Sequence, residues 1–205
     1  MPFASARFKL TIGLKIYALI GLSFLCLVGI AIFNSRELAA SLKQQKQVEL
    51  QHLTELALSI FADEQAAAQK GTVTVAEAQQ RALARTSGLR YGNNDYFFVF
   101  DMTPRVLMHP ISAALVGQDV SGTKDTNGKP LFIEMVDVVR RDGHGFVDYY
   151  WPKPGSDQPQ PKLSYAAGFA PWGWVVGTGV YTDDLAAQVW SSTRRDFAMA
   201  GLVLL

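Results

Sequence analysis

Residues 96–109 read YFFVFDMTPRVLMH. The aromatic and β-branched run from Tyr96 to Phe100 predicts a buried strand. Met102-Thr103-Pro104 predicts a turn, and Arg105 to His109 predicts the returning strand of a tight hairpin. Successive strand side chains point to opposite faces, so Arg105, Leu107 and His109 are expected to share one face. Tyr96, Phe98 and Phe100 share another on the neighbouring strand.

Working downstream, residues 111–128 are rich in Gly, Ser, Asp and Thr and predict a loop. Pro130 to Arg141 predicts a helix, because Leu131, Phe132, Met135, Val136 and Val139 recur at helical spacing. Gly143 and Gly145 interrupt, and Phe146 to Trp151 predicts a strand. The segment PKPGSDQPQP is a connector, Lys162 to Phe169 the strand that pairs back, and Trp172 to Tyr181 the last strand. Asp183 and Asp184 then open an exit helix, with acidic side chains suited to its positive end.

Upstream, Thr74-Val75-Ala76-Glu77 has the capping-box pattern, so a helix is expected from Val75 to near Gly88, with Ala78, Ala82 and Leu83 inward. From Asn34 to Gln69 the chain is rich in strong helix formers without Pro or Gly. There Leu50, Leu53, Ala57 and Ile60 mark one apolar face. Two helices, a hairpin, a crossover helix, a hairpin with a last strand, and an exit helix make an α+β domain. Its five antiparallel strands are expected to carry helices on one side.

Two apolar runs bracket this domain. IYALIGLSFLCLVGIAIF (16–33) carries no charge and approaches the roughly 20 residues a bilayer crossing needs. Arg7, Lys9 and Lys15 precede it and no acid stands before Glu37, which places the N-terminus in the cytoplasm. A cleaved signal peptide has a similar pattern, but its apolar region is typically about 7–15 residues and no A-x-A site follows. An uncleaved anchor is therefore expected. FAMAGLVLL (197–205) starts a second run and stops partway. The expected organisation is a cytoplasmic N-terminus (1–11), a first transmembrane helix (12–33), an extracytoplasmic domain (34–190) and the truncated start of a second transmembrane helix (197–205). The chain is expected to be a fragment of something longer.

A net charge of +1 gives no basic field of the kind nucleic-acid binding needs. The single cysteine, Cys26, lies inside the first apolar run, so the outer domain relies on its core rather than on disulfides. No G-x-S-x-G, P-loop or H-E-x-x-H occurs, and no catalysis or cofactor is expected. Asp95, Asp101 and His109 match no metal-ligand spacing. His52 and His144 are expected to be exposed.

The stretches YGNNDYFFVFDMTPRVLMHP, GQDVSGTKDTNGKPLFIEMV, GFVDYYWPKPGSDQPQPKLSY and FAPWGWVVGTGVYTDD occur in that order. From about Asn34 to Asp184 the chain closely resembles the single Cache domain of bacterial transmembrane receptors. It is most similar to the subfamily common in methyl-accepting chemotaxis proteins. The resemblance implies a long N-terminal helix followed by a PAS-like five-stranded antiparallel sheet. It also implies a periplasmic sensor in the inner membrane that binds a short organic acid such as acetate, propionate or pyruvate. Homodimerisation is expected, as are cytoplasmic signalling partners reached through a part beyond Leu205. The same module on a histidine kinase or diguanylate cyclase is the alternative, and a membrane-tethered structural or oligomerisation module is a further one.

A short carboxylate offers little apolar area, so its pocket needs fixed donors and water-excluding aromatic walls. Arg105 offers a bidentate fork and His109 a ring N–H. The structural alternatives are a solvated strand-edge arginine and a packed histidine ahead of Pro110. Tyr96 and Phe98 are either core or wall. Tyr149 and Trp151 share a face of the third strand. Lys162 shares one with Ser164 on the fourth, while Tyr165 points the other way. The expected ligand-binding set is Tyr96, Phe98, Arg105, His109, Tyr149, Trp151 and Lys162, with Tyr165 if the opposite face lines the pocket. Lys124 and Lys153 are expected in loops, solvated or closing a lid.

Overall fold

A computed structural model describes residues 11–184, 186–187, 189–191 and 193–194. The expectations for residues 1–10 and 197–205 lie outside the described residues. The elements are α1 (Ile12–Gln69), α2 (Val75–Ser87), β1 (Arg90–Tyr91), β2 (Asp95–Asp101), β3 (Val106–Met108), α3 (Leu131–Asp142), β4 (His144–Pro152), β5 (Pro159–Phe169) and β6 (Trp174–Tyr181). The chain divides into two compact units, residues 42–185 and the flanking segments.

In the flanking unit, the first part of α1 exposes its apolar side chains all round, from Ile12 through Phe24 to Phe33. It is the one helix among the described residues that is long and apolar enough to cross a membrane.

Residues 42–185 form an antiparallel sheet in the order β1-β2-β6-β5-β4, with β3 pairing to β2. The two-residue β1 makes six strands where five were expected. A second difference concerns the covering layers. Helices were expected on one side, but α3 covers one face while α1 and α2 cover the other. The reason lies in β2, which is buried from Asp95 through Phe100 on both faces. A strand apolar on alternate and intervening positions needs cover twice.

On the α1 side, Leu50, Thr54, Ala57, Phe61 and Glu64 form the buried stripe, with Leu53 and Ile60 packed at its edge. Thr54 is satisfied by donating to the Leu50 carbonyl at 2.8 Å. Phe61 meets Phe169 and Trp174 edge-on, with ring centroids 5.7 and 5.6 Å apart. The Thr74–Glu77 capping box forms as expected and starts α2 at Val75. On the other face, Leu131, Phe132, Met135, Val136 and Val139 of α3 join Phe98, Phe100 and Val175 in one core.

The first hairpin departs from simple alternation. Val99 pairs with Met108 but Phe100 pairs with Val106, so Leu107 is an extra residue, a β-bulge. Val106 packs with the α3-side core, whereas Leu107 and Met108 both pack on the α1 side. The bulge inverts the parity that follows it. His109 therefore returns to the α3 side and Arg105 does not share its face, contrary to the alternation expected from sequence.

Candidate functional site

The α3 face of the sheet is not uniformly filled. The cross-strand row Phe98–Gly177–Ala166–Gly145 has small residues in three of its four places. A Cβ on Gly177 would lie 2.5 Å from the Phe98 ring, so the ring lies across β6 only because position 177 is glycine. The next row, Gly179–Ser164–Val147, is also low, and a Cβ on Gly179 would meet the Ser164 hydroxyl at 2.1 Å. The third, Tyr181–Lys162–Tyr149, carries large side chains. These rows make a trough walled by aromatics.

Above the trough lies a small pocket of about 190 Å³ of empty space, counting its open mouth. The enclosed part has room for little more than one water molecule, so a ligand there must be small and must displace wall side chains. Tyr96 and Phe98 of β2, His109, Leu131 and Phe132 at the start of α3, and Tyr149 and Trp151 of β4 line it. The aromatic rings buttress one another: His109 lies 5.1 Å from Tyr96, 6.2 Å from Phe98 and 6.1 Å from Trp151.

Lys162 lies beneath this wall. It is 1% exposed, and its Nζ is 4.1 Å from the Tyr96 ring centroid, 4.8 Å from that of Tyr181 and 6.0 Å from that of Phe98. These aromatic faces attract a cation, but none accepts a conventional hydrogen bond along its edge. The amine has no hydrogen-bond partner among the described residues. Burial pulls its pKa down to about 7, with Asp95 acting in the opposite direction. Burial likewise raises the Asp95 carboxyl to about 6, partly countered by Lys162.

His109 has a defined tautomer. Its Nδ1 accepts the backbone N–H of Ser112 at 2.9 Å. Burial, and then the nearby Lys162 charge, lower its pKa to about 4, so the ring is neutral at physiological pH. A neutral imidazole whose Nδ1 accepts carries its proton on Nε2. The pocket therefore has a fixed N–H donor in His109, and beneath its aromatic wall lies an amine with no ion pair, while the Trp151 indole is spent on the Tyr96 hydroxyl. Tyr149 adds a hydroxyl, 2.9 Å from the Ser164 hydroxyl, and Tyr96 adds another whose pKa burial raises to about 12. Both phenols stay protonated and can donate.

Of the residues anticipated from sequence, Tyr96, Phe98, His109, Tyr149 and Trp151 line this pocket and Lys162 underlies it. Arg105 does not join them; it is exposed and donates to the Gly117 carbonyl at 2.6 Å. Tyr165 lies on the opposite face, packed with Leu50 and 4.7 Å from the Phe146 ring. Lys153 is not free in solvent: it pairs with Asp183 and Asp184, each at 2.8 Å. Sequence reading missed Tyr181, whose ring flanks Lys162 and whose hydroxyl donates to the Pro152 carbonyl at 2.6 Å. It also missed Leu131 and Phe132 as wall residues. The place of Tyr181 opposite Lys162 follows from strand register, which no local motif announces.

The single Cache domain 2 family model matches residues 42–195 of this chain. The chain belongs to the single Cache domain 2 family. This Cache domain is similar to McpP, a methyl-accepting chemotaxis protein of Pseudomonas putida, at 35% identity over 194 residues, covering 95% of this chain and 36% of that protein. It is also similar to MctS, a sensor histidine kinase of Rhizobium johnstonii, at 32% identity over 77% of this chain and 35% of that protein. The chain thus spans about a third of the length of these relatives.

Among solved structures, a periplasmic sensor domain of a chemotaxis protein is 46% identical, with a TM-score of 0.66 over 68% of this chain and 96% of that one. A Cache chemosensory domain studied for carboxylic acid recognition is 43% identical, with a TM-score of 0.67 over 69% of this chain and 97% of that one. This Cache domain is a sensor module of the kind found in chemotaxis receptors and sensor kinases.

Proposed function

We propose that this chain is the extracytoplasmic ligand-sensing part of a bacterial transmembrane chemoreceptor and that it binds a short carboxylate such as acetate, propionate or pyruvate. The observation that carries the reading is Lys162: a buried amine with no hydrogen-bond partner among the described residues, set beneath an aromatic pocket beside the His109 Nε2–H. A carboxylate needs such donors, and walls that keep water out strengthen them. The kinship to a Cache domain that recognises carboxylic acids supports the same ligand class.

In this reading residues 12–33 cross the inner membrane, 34–190 lie in the periplasm and 197–205 begin a second crossing. The all-round apolar exposure of α1 from Ile12 to Phe33 supports the first crossing. Leu56 (61% exposed) and Val48 (43% exposed), on the outer side of α1, favour a homodimer in which these side chains are covered. The domain performs no catalysis; its output passes to cytoplasmic signalling partners through a part beyond this chain.

Transmission has a physical route. The pocket wall residue Trp151 is followed by Pro152 and Lys153, which engage Tyr181, Asp183 and Asp184 at the start of the exit helix. A ligand that favours one position of this corner shifts the exit helix by its differential affinity for the two states. The kinship to MctS favours, as a second reading, the same module on a histidine kinase.

A thermal-shift screen of the purified chain in detergent against C2–C4 organic acids and amino acids tests the reading. A specific acid stabilises the fold by about 2.7 kcal/mol at a hundredfold excess over its Kd. No shift with any C2–C4 acid contradicts it.

A further inference from the structure

We propose that carboxylate binding in this pocket is coupled to uptake of one proton from solvent, taken by the Lys162 amine as the ligand supplies its missing counter-ion. The inference rests on the carboxylate reading above and adds its regulation by pH.

Every element packed against Lys162 bears on the argument. β2 contributes Asp95, Tyr96 and Phe98; the turn after β3 contributes His109; β4 contributes Tyr149 and Trp151; β6 contributes Tyr181. From α3 come only Leu131 and Phe132, which carry no charge. Asp95 is the acid that acts on Lys162, yet the two form no ion pair within 4.0 Å. Other acids nearby are engaged elsewhere: Asp183 and Asp184 by Lys153, and Glu49 by Lys46 at 2.6 Å. The amine is thus surrounded by π faces and lacks an anion.

Such an amine is held between its two protonation states. Burial disfavours the ammonium form and Asp95 only partly offsets this, which leaves the pKa at about 7. A carboxylate in the pocket adds an opposite charge in a water-poor space and moves Lys162 back towards its ordinary value. Above pH 7 the empty site is largely neutral and the filled site charged, so binding takes up a proton. One N–H bond forms on Nζ, the proton comes from buffer, and the ligand remains a carboxylate. The other titrating groups do not mimic this. His109, at about 4, stays neutral above pH 6, and Asp95, at about 6, is already ionised over the interval from pH 8 to 9 that decides the test.

The test is calorimetric titration of the chain in detergent with acetate, propionate and pyruvate from about pH 6 to 9. Each pH is measured in two buffers of different ionisation enthalpy. Near pH 8 the heats are expected to differ by an amount that reports close to one proton taken up. The Kd is expected to rise about tenfold from pH 8 to 9. Lys162→Arg, whose guanidinium stays charged, is expected to remove both dependences. A Kd constant within about twofold across the range, with heats independent of buffer, overturns the inference while leaving the carboxylate reading intact. A Lys162→Arg variant that binds and keeps the full proton uptake also overturns it. Absence of binding by all three acids at every pH overturns the carboxylate reading itself, and this inference with it.

Discussion

The Lys162 Nζ lies 4.1 Å from the centre of the Tyr96 ring and has no hydrogen-bond partner among the described residues. In the empty domain this arrangement costs stability. The Lys162 pKa falls from 10.5 unfolded to about 7 folded, so between these values the unfolded chain binds more protons. Stability therefore rises with pH there, by about 1.4 kcal/mol per pH unit, and the cost is fully present below pH 7. Asp95 and His109 act lower. Asp95 is raised from 3.8 to about 6, so its contribution falls as pH rises through that window. His109 is lowered from 6.5 to about 4, so its contribution rises over nearly the same window and opposes it. Lys162→Met is expected to flatten the wild-type rise between about pH 7.5 and 9.5 in urea denaturation. Parallel curves for the two proteins contradict this.

His109→Phe preserves the ring packing against Tyr96, Phe98 and Trp151 but removes the Nε2–H donor. A hydrogen bond to a charged group is worth about 1.5–3 kcal/mol, so carboxylate affinity should fall roughly tenfold to a hundredfold. The change also removes the Nδ1 acceptor of the Ser112 N–H, so stability should fall by about 1 kcal/mol with the fold retained. Binding within twofold of wild type in calorimetry removes His109 from the anion site.

Arg105→Ala and Tyr165→Phe are controls chosen by geometry. Arg105 is exposed and tied to the Gly117 carbonyl, and Tyr165 packs on the α1 side. Neither change should move carboxylate affinity by more than about twofold, which is under 0.5 kcal/mol. A large loss with either places the ligand elsewhere.

These controls also show what was legible in the sequence. Regular strands obey a period of two, and on β2 and β4 that rule places Tyr96 with Phe98 and Tyr149 with Trp151. It failed at Arg105 because one inserted residue, Leu107, reverses the parity between Val106 and His109. The Thr74–Glu77 box located α2 since both partners lie in one local motif. Tyr181 and the start of α3 were not legible as site residues, because their meeting with Lys162 and His109 depends on long-range register. The apolar content of β2 on both faces was visible in YFFVF, and it required the second helical layer that α3 provides.

Gly177→Ala drives a Cβ to 2.5 Å from the Phe98 ring, a pocket wall. Overpacking of this kind costs about 1–3 kcal/mol, so the variant should unfold at lower denaturant and bind carboxylate more weakly. Gly122, whose Cβ would have nothing within 4 Å, is the matching neutral site for an Ala substitution. Equal stability of the two variants contradicts the packing argument.

Lys153→Gln releases Asp183 and Asp184 from a half-buried ion-pair cluster. The stability cost should stay near or below about 1 kcal/mol, since such pairs are screened. Carboxylate affinity should persist while signalling output changes, measured in a chimera carrying a chemoreceptor signalling domain. A four-glycine insertion after Asp184 should uncouple binding from output in the same chimera. Unchanged output with retained binding in both variants contradicts transmission through this corner.

In the proposed site the Lys162 amine anchors the anion, and removing that amine alone is the decisive comparison. Propionate affinity is measured by calorimetry at about pH 7 for the wild-type chain and for Lys162→Met, with folding of each checked by its unfolding transition. Measurable binding is expected for the wild type, and a loss of at least about a hundredfold for the variant, which should be folded and no less stable. Equal affinity in the two proteins would contradict this role.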